Sequence, residues 1–438
     1  MVNGERFATG GGEILGKTSK KKKEPGANAP PGSLPSIPCQ TRQTGYTYYM
    51  AHLTVSSQKE LRDLCRQLKT AEIIAYDTEF ISEGRYQPEL CLIQIAANGL
   101  LALVDPVDIP DLAPLWKLFC DGKREIVVHA CRSEMEFCHR TIGKMPPKLF
   151  DVQVAAGFVG NDYPAGFGSL LSGFLRLSLR KTETRTIWNQ RPLTPLQIEY
   201  ALDDVRHLEE LCRAIKTRLA KLKRLNWYYE EIEYVKENLR LYFETPRWRS
   251  LPKISGLSMR ELAILRELWF WREGLAKQRN IPASRMLRDD LLVELSRRRT
   301  SEEKRIAAVR GMQRQDLTRI LPDIVIAITR GLSLSDDELP EPALRASYPQ
   351  YTVLTQILYA VLGSICKQNR IASLLVASPN DVRELVASEL GTLPQSVAPR
   401  LASGWRSELI GTLLYDLLHG EKTLQIDKTD ADAPLIVR

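Results

Sequence analysis

The sequence predicts an α/β domain followed by two small all-helical domains, and three observations support this. Four apolar, β-branched runs crowd residues 72–130: "EIIAYDTEF", "LCLIQIAA", "LLALVD" and "EIVVHA". After residue 225 such strand patterns largely disappear. Two helical stretches then flank a Pro- and acid-rich linker, "SLSDDELPEPALRASYPQY". At 438 residues the chain is also too long for one ordinary core.

The elements follow in order. Residues 1–48 are rich in Lys, Pro and Gly and predict a disordered basic tail. "SSQKELRDLCRQL" has helical apolar spacing behind a Ser cap. Asn98 and Gly99 between the second and third strands signal a hairpin. Helices are expected at "SEMEFCHRTI", "DVQVAAGFVG" and "GFGSLLSGFL", and from about Thr194 to Lys221. "SMRELAILRELWFWREGLAKQRN" predicts a further long helix, continued by short ones through "EEKRIAAVRGM". The expected boundaries are 49–225 for the α/β domain, 226–335 and 336–422 for the helical domains, and 423–438 for a polar tail.

Composition narrows the function. Hydrophobic content of 44% and charged content of 26% are ordinary for a soluble protein. No apolar run approaches the roughly 18 residues of a membrane span, and the N-terminus lacks a secretory apolar core. Eight cysteines without a CxxC pair argue against a disulfide framework and a thiolate zinc site, and they suit a reducing cytoplasm. The net charge of +8 is uneven: residues 246–310 hold 16 Lys/Arg against 8 Asp/Glu. A mildly acidic body with basic appendages implies a polyanionic partner held outside an acidic site. A monomer in the cytoplasm, with no membrane association, is the expectation.

That acidic site is announced by "EIIAYDTEFISEG". Asp77 and Glu79 end an apolar strand on one face, where like charges repel unless a cation compensates. Further on, "VVHACRSEMEFCHR" places Glu134 and Glu136 at a helix start. "QIEYALDDVRHL" then sets Tyr200 and Asp204 one helical turn apart. Each fragment is ordinary alone. In this order, D-x-E, acidic helix start and Y-x-x-x-D, they resemble the tyrosine branch of the DEDD exonuclease superfamily.

The resemblance is to ribonuclease D in particular. "YDTEFISEGRYQPELCLIQIA", "LFDVQVAAGFVG" and "RTIWNQRPLTPLQIEYALDDVRHL" are similar to its core segments. "ILRELWFWREGLAKQRNIPASRMLRDDLLVELSRRR" resembles its HRDC domain, and "SGWRSELIGTLLYDLLHGEKTL" the end of a second HRDC-like unit. The match spans roughly residues 50–422. It implies a ribonuclease-H-like α/β fold with two HRDC-like domains. It also implies a 3′→5′ exoribonuclease that releases nucleoside 5′-monophosphates. The implied partners are RNA, as tRNA precursors and single-stranded 3′ ends.

The resemblance also implies two divalent cations, Mg or Mn. Two such ions can ionise water and stabilise a departing alkoxide, and hard ions prefer carboxylate oxygens. On this reading Asp77 bridges both ions, Glu79 and Asp204 complete the first site, and Glu134 serves the second. Tyr200 holds the attacking water. Phe80, Lys181, Trp188 and Arg191 are candidate substrate contacts. Asp151 matches a family aspartate and also suits a helix N-cap. His129 reads as a packed strand-end residue, and the nearby cysteines lack zinc-ligand spacing.

One position departs from the family. Five residues after the His of "HA" the family has aspartate, where this chain has Glu134. This leaves two rival readings: a non-catalytic RNA-binding protein on a decayed nuclease, and a DNA 3′→5′ exonuclease. A chain cut after about residue 235 is expected to keep cleavage of short oligonucleotides.

Overall fold

In the computed structural model, which describes residues 52–179, 186–341, 351–392 and 398–438, six strands form one mixed sheet. They are β1 (Leu53–Val55), β2 (Ile73–Ile81), β3 (Glu89–Ala97), β4 (Leu100–Val104), β5 (Glu125–Val128) and β6 (Leu149–Asp151). Their spatial order is β1-β4-β3-β2-β5-β6. β2, β3 and β4 make an antiparallel meander, and β1, β5 and β6 join in parallel. Parallel joins need crossovers. Those between the strands are α1 (Gln58–Leu68), α2 (Ala113–Phe119) and α3 (Arg132–Ile142).

Local chemistry explains these elements. Ser57 and Glu60 form a reciprocal capping box at the start of α1, a feature worth about 1 kcal/mol. Leu61, Leu64 and Leu68 face inward from that helix. Asn98 and Gly99 adopt φ of 50° and 79°, as a tight hairpin between β3 and β4 requires. Tyr76 on β2 is fully buried against Phe119, with ring centroids 4.7 Å apart. The sequence reading had no place for β1 and β6, because three residues are too few to display alternation.

Beyond the sheet come α4 (Val152–Gly157), α5 (Phe167–Leu175), α6 (Pro195–Arg206), α7 (Leu208–Lys221) and α8 (Leu225–Glu244). The single helix expected from Thr194 to Lys221 is therefore two. His207 breaks it at φ −110°, ψ 4°. The break lets α6 follow β3 and β4 while α7 crosses to α4 and α5.

The first helical unit comprises α9 (Met259–Arg279), α10 (Ala283–Met286), α11 (Asp289–Arg298), α12 (Glu303–Ala307), α13 (Gln315–Arg319) and α14 (Leu321–Ser333). It has its own core, with Leu262, Leu265 and Leu268 packed among Leu292, Leu295 and Ile328. Helices α9 and α14 touch so closely that a Cβ on Gly331 would lie 2.5 Å from Cα of Ile264.

The second unit comprises α15 (Thr352–Gln368), α16 (Ser373–Val376), α17 (Pro379–Glu389), α18 (Gly404–Arg406) and α19 (Thr412–Leu418). It shares one continuous hydrophobic core with the α/β domain. Trp405 packs on Phe158 with centroids 4.9 Å apart. Buried Glu231 on α8 accepts from Nε1 of Trp405 at 3.1 Å and from Arg400 at 3.0 Å, and it pairs with Arg406 at 2.7 Å. A cut after residue 235 would remove the second unit's share of this core. The polar tail is itself structured. Leu424–Ile426 and Leu435–Val437 pair as a hairpin, and Leu435 exchanges backbone hydrogen bonds with the Ser364 hydroxyl. No helix among the described residues is long and apolar enough to cross a membrane.

Candidate active site

β5 pairs with β2 only along Ile73–Ala75, so the C-terminal half of β2 has no strand on that side. Asp77 and Glu79 project from this free half. The N-terminal turn of α3 occupies the space where β5 has stopped and brings in Glu134. On the other side α6 packs on β3 through Ala201, Leu202, Cys91 and Leu92, joined by Trp188 from the segment before α6. That packing aims Tyr200 and Asp204 at the same place. The site lies where the parallel strands β2 and β5 end, the usual location in α/β sheets.

The oxygens of Asp77, Glu79 and Asp204 lie within 4.8 Å of one another. Glu134 is buried beside them, its Oε1 accepting a 2.9 Å hydrogen bond from the Thr78 hydroxyl. Burial is the leading cause of every carboxyl shift here. It raises Asp77 to about 7, opposed by the Thr78 backbone N–H and by the neighbouring Glu134 carboxyl. Glu79 rises to about 9, with the charges of Asp77 and Asp204 adding to the effect. Asp204 rises to about 8, helped by Asp77 and Asp203. Glu134 is pushed well above the ordinary range, next by Asp77. The Tyr200 hydroxyl is also raised, by burial and then by Asp204, Glu79 and Asp77.

A divalent cation fits this set. All donors are hard carboxylate oxygens, and each is raised first by burial, a cost to the ionised form that a bound cation would offset. Oε2 of Glu134 is buried without a hydrogen-bond partner. So is the whole amide of Gln94, which stands opposite Asp77 in the β2–β3 register and shares its face. Polar atoms stranded in this way call for a ligand that supplies charge or water.

Other candidates sit elsewhere. Phe80 is half-buried and meets Phe137 edge-on at 5.7 Å, within the main core. Trp188 is buried and lies 6.0 Å from the Tyr200 ring, so it props Tyr200 and is not open to a base. Arg191, expected as a candidate substrate contact, is engaged within the protein as a strut. Nε and Nη2 hold the Asp105 carboxylate, and Nη1 bonds the carbonyls of Trp188 at 2.7 Å and Gln190 at 2.9 Å. Nη2 also reaches the Cys91 carbonyl at 2.8 Å, so every donor is taken. Lys181 lies outside the described residues.

Asp203 is committed to Arg206, which leaves Asp204 to the cluster. Asp151 caps α4 and also accepts from the backbone N–H groups of Ala130 and Cys131, fixing the turn that launches α3. His129 bonds the Ala165 carbonyl at 2.9 Å. Thr78 and Gln94 are site residues that the sequence reading did not single out. Gln94 had left a signal, as the one amide within an apolar strand run.

Comparison with known proteins places the chain among nucleases. A family model described as 3′-5′ exonuclease matches residues 53–220, and an HRDC domain model matches residues 261–328. The chain is similar to ribonuclease D of Nitrobacter hamburgensis, 30% identical over 380 residues, which cover 85% of this chain and 97% of that protein. It is 31% identical to ribonuclease D of Jannaschia sp., covering 85% and 96%. Among solved structures it resembles Escherichia coli RNase D, described as an exoribonuclease involved in structured RNA processing. That likeness has a TM-score of 0.75 and 27% identity, over 85% of this chain and 99% of the other.

Proposed function

That the chain belongs to the ribonuclease D family is the premise from which we propose its function. It is a 3′→5′ exoribonuclease that trims the 3′ ends of tRNA precursors and other small structured RNAs. The observation that carries this reading is the convergence of Asp77, Glu79 and Asp204, from two separate elements, beside Tyr200.

Asp77, Glu79 and Asp204 would hold one divalent cation, Mg or Mn, and Asp77 with Glu134 a second. Bound there, the cations supply acidification of water and stabilisation of the leaving oxygen. The protein's own groups provide position. The raised Tyr200 hydroxyl keeps its proton at neutral pH, so it orients the attacking water by hydrogen bonding and does not act as a base. Trp188 and the α6–β3 packing fix the angle of that hydroxyl. Water adds at phosphorus as the bond to the 3′ oxygen of the preceding nucleotide breaks, so the released nucleoside keeps a 5′-phosphate. The seven described cysteines are all free thiols, which supports a cytoplasmic location.

The test is product identity together with two variants. Chromatography of digested RNA should yield nucleoside 5′-monophosphates. Asp204→Asn should abolish their release. Tyr200→Phe, which keeps the packing, should slow it on the order of 10²-fold through lost positioning. Release of 3′-phosphates or oligonucleotides would overturn the reading.

A further inference from the structure

Outside the carboxylate cluster, two arginines gather on one aromatic ring, that of Tyr242. Arg132, the first residue of α3, holds its guanidinium 4.2 Å from the Tyr242 ring centroid. Arg247 holds its own 4.0 Å from the same ring. Neither has a carboxylate partner among the described residues, whereas neighbouring Arg240 and Arg272 are both paired. Two exposed cations gathered on one ring repel each other, and a polyanion would reverse that cost.

Beside them opens a cleft of about 580 Å³ between the α/β domain and the first helical unit, with Tyr86, Arg140, Phe243, Trp269 and Phe270 in its walls. Phe270 is 45% exposed. Two of the cleft's acids are engaged: Glu244 with Arg240 and His139, and Glu273 with the Tyr86 hydroxyl and Arg272. Arg132 and Glu134 lie two residues apart on α3 and therefore on nearly opposite faces. One helix diameter, about 10–12 Å, therefore separates the Arg132 side of α3 from its Glu134 side.

We propose that this cleft carries the single-stranded RNA just 5′ of the scissile end. Arg132 and Arg247 hold its phosphates, and its bases stack on Tyr86, Trp269 and Phe270. This rests on the exonuclease reading and adds the path of the strand. Sequence-tolerant stacking with backbone charge suits an enzyme that must advance one nucleotide at a time.

The test uses the full chain and a labelled long oligouridylate bound in EDTA, followed by anisotropy, so that binding is measured without cleavage. Arg132→Ala/Arg247→Ala should weaken binding on the order of 10-fold. It should also flatten the salt slope by about 1.4, roughly 0.7 for each lost phosphate contact. Arg132→Lys/Arg247→Lys keeps both charges and should restore most of that slope. With metal present, the ratio of kcat/KM for the long strand to that for diuridylate should fall in the Ala variant. Arg66→Ala, an exposed arginine on remote α1, should leave the ratio alone. Unchanged affinity and slope, or equal losses on long and short substrates, would overturn the proposal. If the unaltered protein released no mononucleotides while the Ala variant still lost strand binding, the cleft would stand and the exonuclease reading would fall.

Discussion

The Thr78 hydroxyl donates a 2.9 Å hydrogen bond to Oε1 of Glu134, joining the middle of the D-x-E strand to the first turn of α3. This bond holds one oxygen of the glutamate and leaves the other, buried and unpartnered, beside Asp77. The longer side chain is thus anchored on Thr78 through one of its two oxygens. Glu134→Gln should therefore remove most activity. Glu134→Asp, although it restores the family residue, should slow the reaction on the order of 10²-fold. The stranded Thr78 hydroxyl should also cost about 1 kcal/mol or more in chemical denaturation. An aspartate variant as fast and as stable as the natural chain would show that the extra methylene is idle.

A second prediction follows from the raised carboxyls. Asp77, Glu79 and Asp204, at about 7, 9 and 8, bind protons in the folded chain at pH values where the unfolded chain has released them. Stability from these groups is fully present below the ordinary carboxylate pKa of about 4 and is lost as pH rises through the folded values. The metal-free protein should accordingly weaken between about pH 5 and 9. A divalent cation binds the ionised form and displaces those protons. The rise in Tm on adding Mg²⁺ should thus grow with pH across this window. A Mg²⁺ effect that is flat with pH would contradict the assignment.

Glu231 tests the union of the second helical unit with the cleavage domain. Glu231→Gln leaves buried Arg406 without its counter-charge and should cost about 3 kcal/mol. Activity and second-unit structure should be lost in one thermal transition. Two separate transitions would show that the shared core is not cooperative.

Arg191 tests the strut. Lysine offers three donors where the guanidinium uses five, so Arg191→Lys should destabilise the loop and lower kcat by misplacing α6. Strand affinity measured in EDTA should change little. A loss confined to affinity would return Arg191 to the substrate-binding surface.

Much of this was legible in the sequence, for identifiable reasons. Apolar, β-branched runs marked β2 to β5, and the Asn98–Gly99 pair marked the hairpin. The family's Y-x-x-x-D spacing pointed to Asp204, and the structure ties its neighbour Asp203 to Arg206. What stayed hidden depended on long-range pairing. Arg191 looked like a free loop cation because Asp105, 86 residues away, gives no local signal. Trp188 looked available because its burial is created by β3 and β4. The shared core of the second helical unit was hidden for the same reason, since Glu231 and Arg406 are far apart in sequence. Thr78 was passed over because its partner lies 56 residues on.

The most direct test of the central claim uses a single-stranded RNA with a 3′-hydroxyl and a 5′ label. If Asp77, Glu79, Glu134 and Asp204 assemble a metal-dependent exonuclease site, the labelled strand should shorten one nucleotide at a time in Mg²⁺ or Mn²⁺ and stop when EDTA is added. Internal cuts, or shortening undiminished by EDTA, would contradict it.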